Sequence, residues 1–286
     1  MRWQNRERST NVDDRRKGGS VRKVGGGIGI GVILIAVFQL IMGENPVSVL
    51  QNVLSESAPS QTSGPATTNA ADDELADFVS VVLKDTEDVW EKLFKEELGR
   101  QYQPPTLVLF SGSVQSACGS AQSATGPFYC PADQKVYIDL VFYQELKNRF
   151  KAPGDFAMAY IVAHEVGHHV QSILGISSQV EMQKRKVSKK EANQLSVRLE
   201  LQADFLAGVW AHHGQKMKNF LEKGDIEEAM NAAAAVGDDR IQLQARGYVV
   251  PDAFTHGTSE QRMRWFKKGL LEGKLKDGDT FSEYNL

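Results

Sequence analysis

The chain has 286 residues, 41% of them apolar and 24% charged, and a formal net charge of −3. That composition allows a sizeable globular core. It excludes a strongly basic protein built to coat nucleic acid, so no nucleic-acid partner is expected.

The charge is uneven along the chain. Residues 1–23 hold eight Lys or Arg against Glu7, Asp13 and Asp14, and read as a basic tail. From Val24 to Gly43, "VGGGIGIGVILIAVFQLIMG", no residue is charged. Those 20 residues match the length a helix needs to cross the hydrocarbon layer. The basic flank then predicts a single-pass anchor in the cytoplasmic (inner) membrane, N-terminus in the cytoplasm and the remainder extracytoplasmic. A cleaved signal peptide is the rival reading, but "GENPVSVL" offers no good small-x-small site. A buried core helix fits less well, because the run has no polar face. Residues 44–71 include the Ser, Thr, Pro and Ala stretch "SESAPSQTSGPATTNAA" and read as a flexible linker. One domain, 72–286, follows.

Within it, Leu75, Phe78, Val79, Val82, Val89, Leu93, Phe94 and Leu98 recur at helical spacing over 73–98, and Gly99 with "QPP" ends that helix. "TLVLF" at 106–110 reads as a strand, and "PFYC" and "KVYIDL" flank a turn as a hairpin. Cys118 and Cys130 bracket a small-residue loop that reads as floppy. Outside the cytoplasm they are expected to form a disulfide, the alternative being two free thiols. Residues 142–150 read as helix, and Asp155 as the N-cap of the next one. Most of 156–286 reads as helix broken at Gly175, Gly214, Gly224, Gly237 and near Pro251. A small antiparallel or mixed sheet followed by a mainly helical half is an α+β arrangement.

The chemistry concentrates in "AYIVAHEVGHHVQSILG", 159–175. His164, Glu165 and His168 fit H-E-x-x-H on an otherwise apolar helix. Positions i and i+4 share a helix face, so both imidazoles reach one ion, and zinc is the ion this ligand type suggests. Glu165 flanks the metal without ligating it, placed to take a proton from water. The bland alternative is a set of buried histidines satisfied by hydrogen bonds alone. Gly167 weakens the helix and suggests a close neighbour, backbone or ligand. His169 lies off the ligand face. The longer pattern ending in x-x-G-x-x-H fails, because Gln171 and Leu174 stand at its last two positions.

A third ligand must come from elsewhere, with Glu181, Glu191, Glu200, Asp204, His212 and His213 as candidates. "VRLELQADFLAGVWA" (197–211) is the best context, since Glu200 and Asp204 share a face of a largely apolar helix. Glu200 is assigned to the metal. Asp204 is assigned to the N–H of a ligating histidine, His164. The reversed assignment and two solvated carboxylates stay open. The "GDDR" at 237–240 and "GDIEE" read as caps and solvated faces.

"HEVGHHVQ", "ELQAD", a late "HGTSEQR", "GPFYCPADQKVYID" and the basic N-terminus with its apolar run resemble the bacterial neutral zinc metallopeptidases of the YpfJ type. More distantly the chain resembles thermolysin-like zincins. The resemblance implies a zincin-like fold and peptidase activity, with His164, His168 and Glu200 on zinc, Glu165 catalytic and Asp204 behind a ligand. It also implies that an edge strand, "PFYC" or "VYID", pairs with an extended peptide or unfolded-protein substrate. His256 precedes a helix announced by the capping-box spacing of Thr258 and Gln261. The resemblance puts it near the metal as an oxyanion stabiliser or resting ligand, and the alternative is a surface loop histidine.

Three functions stand: a membrane-anchored zinc endopeptidase, a non-catalytic zinc-stabilised scaffold or chaperone, and, more weakly, a zinc amidase acting on a non-peptide amide. Oligomeric state is not legible in the sequence.

Overall fold

The computed structural model describes residues 1–16, 70–284 and 286. The expected anchor 24–43 and nearly all of the linker lie outside the described residues. Among the described residues no helix is long and apolar enough to cross a membrane.

The fold is α+β and mostly helical. A four-stranded sheet has the order β1 (Val12–Asp14), β2 (Thr106–Phe110), β6 (Lys135–Asp139), β5 (Phe128–Cys130). The first three strands run parallel, and β5 is antiparallel to β6. Strands β3 (Ser113–Ser116) and β4 (Gly119–Gln122) form a separate antiparallel hairpin. The helices are α1 (Ala70–Glu97), α2 (Val141–Asn148), α3 (Asp155–Ile173), α4 (Ile176–Lys184), α5 (Lys189–Lys218), α6 (Asp225–Ala235), α7 (Asp238–Arg246) and α8 (Ser259–Glu272).

Strand alternation divides the core. Leu107 and Leu109 of β2 face the helices and join the main cluster, while Val108 and Phe110 face the hairpin with Val114, Ala121, Cys130 and Tyr137. A strand covered on both faces reads as an unbroken apolar run, as "TLVLF" does. Helix α3 is apolar nearly all round because it is the central helix, packed on α1, α5, α6, β5 and β6.

Several expectations are corrected. The basic N-terminal segment is not a tail apart from the domain. Residues 12–14 add a strand to its sheet, and Arg6 and Arg8 pair with Asp85 and Asp77 of α1. The Cys118–Cys130 disulfide forms as expected and ties down the stretch between the cysteines, whose start, read as floppy, is strand β4. Asp155 is the first residue of α3 rather than its cap. Its carboxylate takes the α-ammonium of Met1 at 2.7 and 2.8 Å, and Glu228 accepts the Phe156 N–H at 3.0 Å. Gly214 does not break α5; a Cβ there would meet the Phe220 ring at 2.3 Å, so glycine makes room for that ring. Asp225 and Asp238, read as solvated, are buried.

Candidate metal centre

His164 and His168 lie one turn apart on α3, and Glu200 reaches them from the middle of α5. The two helices come close because position 167 is glycine: a Cβ there would stand 3.0 Å from the Ala203 carbonyl oxygen. The close neighbour of Gly167 is therefore backbone.

The three side chains converge. His164 Nε2 is 3.1 Å from His168 Nε2 and 3.2 Å from Glu200 Oε2, and His168 Nε2 is 3.4 Å from Glu200 Oε1. Four ligands about 2.05 Å from zinc in a tetrahedron are separated by roughly 3.3 Å. The observed triangle has that size, and the donors offer one atom each within 4.8 Å of one another. Two imidazole nitrogens and a carboxylate facing a common point fit a zinc ion there.

The groups behind the ligands fix their tautomers. Asp204 is fully buried and can only accept, so His164 Nδ1–H donates to it at 2.8 Å and Nε2 keeps its lone pair for the common point. His168 Nδ1–H donates to Gln171 Oε1 at 2.9 Å, and the Gln171 amide donates to the Leu199 carbonyl at 2.7 Å. Gln171, where the longer motif would carry glycine, thus orients the second ligand. Asp204 also receives Nε and Nη2 of Arg262 at 2.8 and 2.9 Å and the hydroxyl of Tyr160. Burial disfavours a charged Asp204, but Arg262 and His164 outweigh it and hold its pKa below the usual carboxylate value. Burial likewise opposes charge on His164, yet Asp204 and Glu200 raise its pKa to about 9, so without an ion Nε2 holds a proton that a bound cation would replace. Burial opposes charge on Glu200 too, and the histidines around it prevail and hold its carboxyl well below the ordinary range. The centre is a place where positive charge is strongly favoured, which suits a dication.

Glu165 and His256 line the same cleft of about 690 Å³ as the three donors. His256 is oriented by Asp238, which accepts its Nδ1–H at 3.2 Å and the backbone N–H groups of Thr255, His256 and Gly257 at 2.7, 2.6 and 3.1 Å. That leaves Nε2 for the cleft. The capping box of Thr258 and Gln261 starts α8 just beyond, as expected. His169 is buried and neutral, its pKa lowered by burial. It donates to the Gln103 carbonyl at 2.7 Å and meets the Tyr129 hydroxyl of β5 at 3.2 Å, tying that strand to α3. Glu181 lines the cleft's rim, while Glu191 is spent on the cap of α5 and His212 and His213 bond carbonyls at the far end of that helix.

Arg262, Tyr160, Gln171 and Asp238 were not singled out in the sequence as parts of the site. Arg262 left a signal: it shares the buried face of α8 with Trp265, Phe266 and Gly269, where a cation needs a partner. Tyr160 and Gln171 left a weaker one, standing four before His164 and three after His168 on α3.

A family model described as "putative neutral zinc metallopeptidase" matches residues 1–281. The chain is 46% identical over 288 aligned positions to "Uncharacterized protein YpfJ" of Escherichia coli (strain K12), covering 99% of each. It is 44% identical over 195 residues to "Uncharacterized protein Mb2605" of Mycobacterium bovis, covering 65% of each. No solved structure matches. The family implies zinc as the cofactor, in agreement with the donor triangle, and the chain belongs to the putative neutral zinc metallopeptidases.

Proposed function

We propose that the protein is a zinc-dependent endopeptidase that holds an extended chain along β5 and hydrolyses it at the His164–His168–Glu200 centre. When bound, zinc supplies a Lewis acid that acidifies water and polarises a carbonyl. Glu165 takes a proton from the attacking water on its carboxylate and returns it to the departing amide nitrogen. His256, which Glu200 and Asp238 favour in its charged form, gives Nδ1–H to Asp238 and turns its Nε2–H toward the negative charge that builds on the carbonyl oxygen. Asp204, Arg262 and Tyr160 keep His164 in one tautomer and rotamer throughout.

The sheet order supports the substrate's position. Of the two strands named from sequence, "VYID" lies inside the sheet and "PFYC" is one of its two edges. Pro127, Phe128 and Tyr129 of that edge line the cleft beside the zinc donors. Backbone pairing there gives affinity with little sequence preference. A preference enters through the apolar wall of Phe142, Phe150, Ile161, Val236 and Ile241, which suits a large apolar side chain next to the scissile bond. The uncharged run 24–43 supports membrane attachment.

The observation that carries this reading is a carboxylate, Glu165, set one residue from His164 and lining the same cleft as the three donors. A zinc-stabilised scaffold needs the three donors but has no use for Glu165. Glu165→Gln should therefore keep one zinc per chain by elemental analysis and keep its melting temperature. It should lose about 100-fold or more in cleavage of an unfolded protein substrate. A zinc-loaded wild type that cleaves none of a broad peptide set would leave the scaffold reading in its place.

A further inference from the structure

We infer that residues 1–16 and the zinc domain lie on the same side of the membrane, the oxidising side, so the uncharged run between them does not separate them. A tail left behind in the cytoplasm would be free of the domain. Instead β1 runs in register with β2, Val12 opposite Leu107, Asp13 opposite Val108 and Asp14 opposite Leu109. Hydrogen bonds continue the ladder from Leu107 N–H to the Asn11 carbonyl at 2.9 Å and from Arg15 N–H to the Leu109 carbonyl at 2.8 Å. Trp3 packs edge-on against Phe78 of α1 at 5.5 Å between ring centroids.

Three of the arginines that favour a cytoplasmic N-terminus in the sequence are paired with the domain. Arg6 reaches the buried Asp85 at 2.5 Å, Arg8 reaches Asp77 at 2.7 Å and Arg16 reaches Asp73 at 3.1 Å. Removing the segment would strand Asp85, whose side chain is only 1% exposed, with Lys218 as its remaining cation. The positive-inside rule counts charges free to stay at the cytoplasmic face. These are drawn to carboxylates of α1.

The place where the chain leaves the described structure is also the place where it returns. The buried Arg16 donates from Nη1 to the Asp72 carbonyl at 2.8 Å. One crossing of a hydrocarbon layer separates its ends by about 30 Å. Two residues in hydrogen-bond contact cannot stand at opposite ends of it, so whatever path residues 17–69 take, they return to the side they left. The Cys118–Cys130 disulfide identifies that side, because such bonds persist outside the reducing cytoplasm.

The test uses the full chain with a single added thiol, at the exposed Gln4 or the exposed Tyr248, the native cysteines being paired. Intact Gram-negative cells expressing Gln4→Cys or Tyr248→Cys are treated with a membrane-impermeant maleimide before and after lysis. Both variants are expected to label to the same extent before lysis. Labelling of Tyr248→Cys before lysis and of Gln4→Cys only after it would overturn the inference. Labelling of both only after lysis would overturn the assignment to the oxidising side.

Discussion

At the scale of single residues, the centre rests on one buried carboxylate. Asp204 is shared by His164, Arg262 and Tyr160, and it supplies the buried ion pair of Arg262. Asp204→Asn keeps the shape but takes from the buried Arg262 guanidinium the carboxylate it is hydrogen-bonded to. A buried charge stripped of its partner costs on the order of 3–5 kcal/mol, readable as a loss of denaturant stability. Zinc affinity, measured against a competing chelator, should fall about 10- to 100-fold as His164 loses its orienting acceptor. Asp238 governs the other wall. Burial raises its pKa, but His256 and the backbone N–H groups of Thr255 and His256 more than offset this, so its folded value lies below the ordinary one. A depressed carboxylate contributes stability that is complete above the ordinary value and disappears as the pH falls through the folded one. The gap in melting temperature between wild type and Asp238→Asn should therefore be widest near neutrality. It should close below about pH 4. The ligands themselves were legible, because H-E-x-x-H and E-x-x-x-D place polar groups on helix faces that are otherwise apolar. Asp238 was not: beside Asp239 and Arg240 it looks like a solvated cap, and only the return of the chain through 255–257 buries it.

At the scale of elements, the site is a crossing of helices, and glycines set how closely they cross. Gly208 of α5 and Gly269 of α8 face one another's backbones. A Cβ on the first would stand 2.1 Å from the Phe266 carbonyl oxygen, and one on the second 2.0 Å from that of Phe205. These atoms are backbone and cannot swing aside. Gly269→Ala should destabilise at or beyond the ~3 kcal/mol upper end of ordinary overpacking, and chemical denaturation measures it. It should also weaken zinc binding, since α8 carries Arg262 to Asp204. Periodicity located α1, β2, β5, β6 and α3 because each has an apolar face of the right repeat. It missed the β3–β4 hairpin, whose Ser, Gly and Gln residues have almost no such face. What holds that hairpin is Val114 and Ala121 packing on β2 together with the disulfide to β5. The same disulfide braces the strand proposed to receive substrate.

At the scale of the whole molecule, sequence and structure agree on one mainly helical α+β unit, and they part at its N-terminus. Length, charge and hydropathy describe residues 1–23 as a leader to an apolar run, and nothing local announces that "NVDD" will lie beside "TLVLF". Strand pairing between distant segments leaves no periodic trace when the shorter partner has three residues. That pairing sets an order of events. β1 emerges first during synthesis, but its partner Leu107–Leu109 belongs to a much later stretch, and closing so long a loop is slow. Until it closes, β2 presents an open parallel edge, the surface through which folding intermediates stick to one another. The earliest residues made are thus among the last to find their place, and maturation of the domain waits for its own beginning.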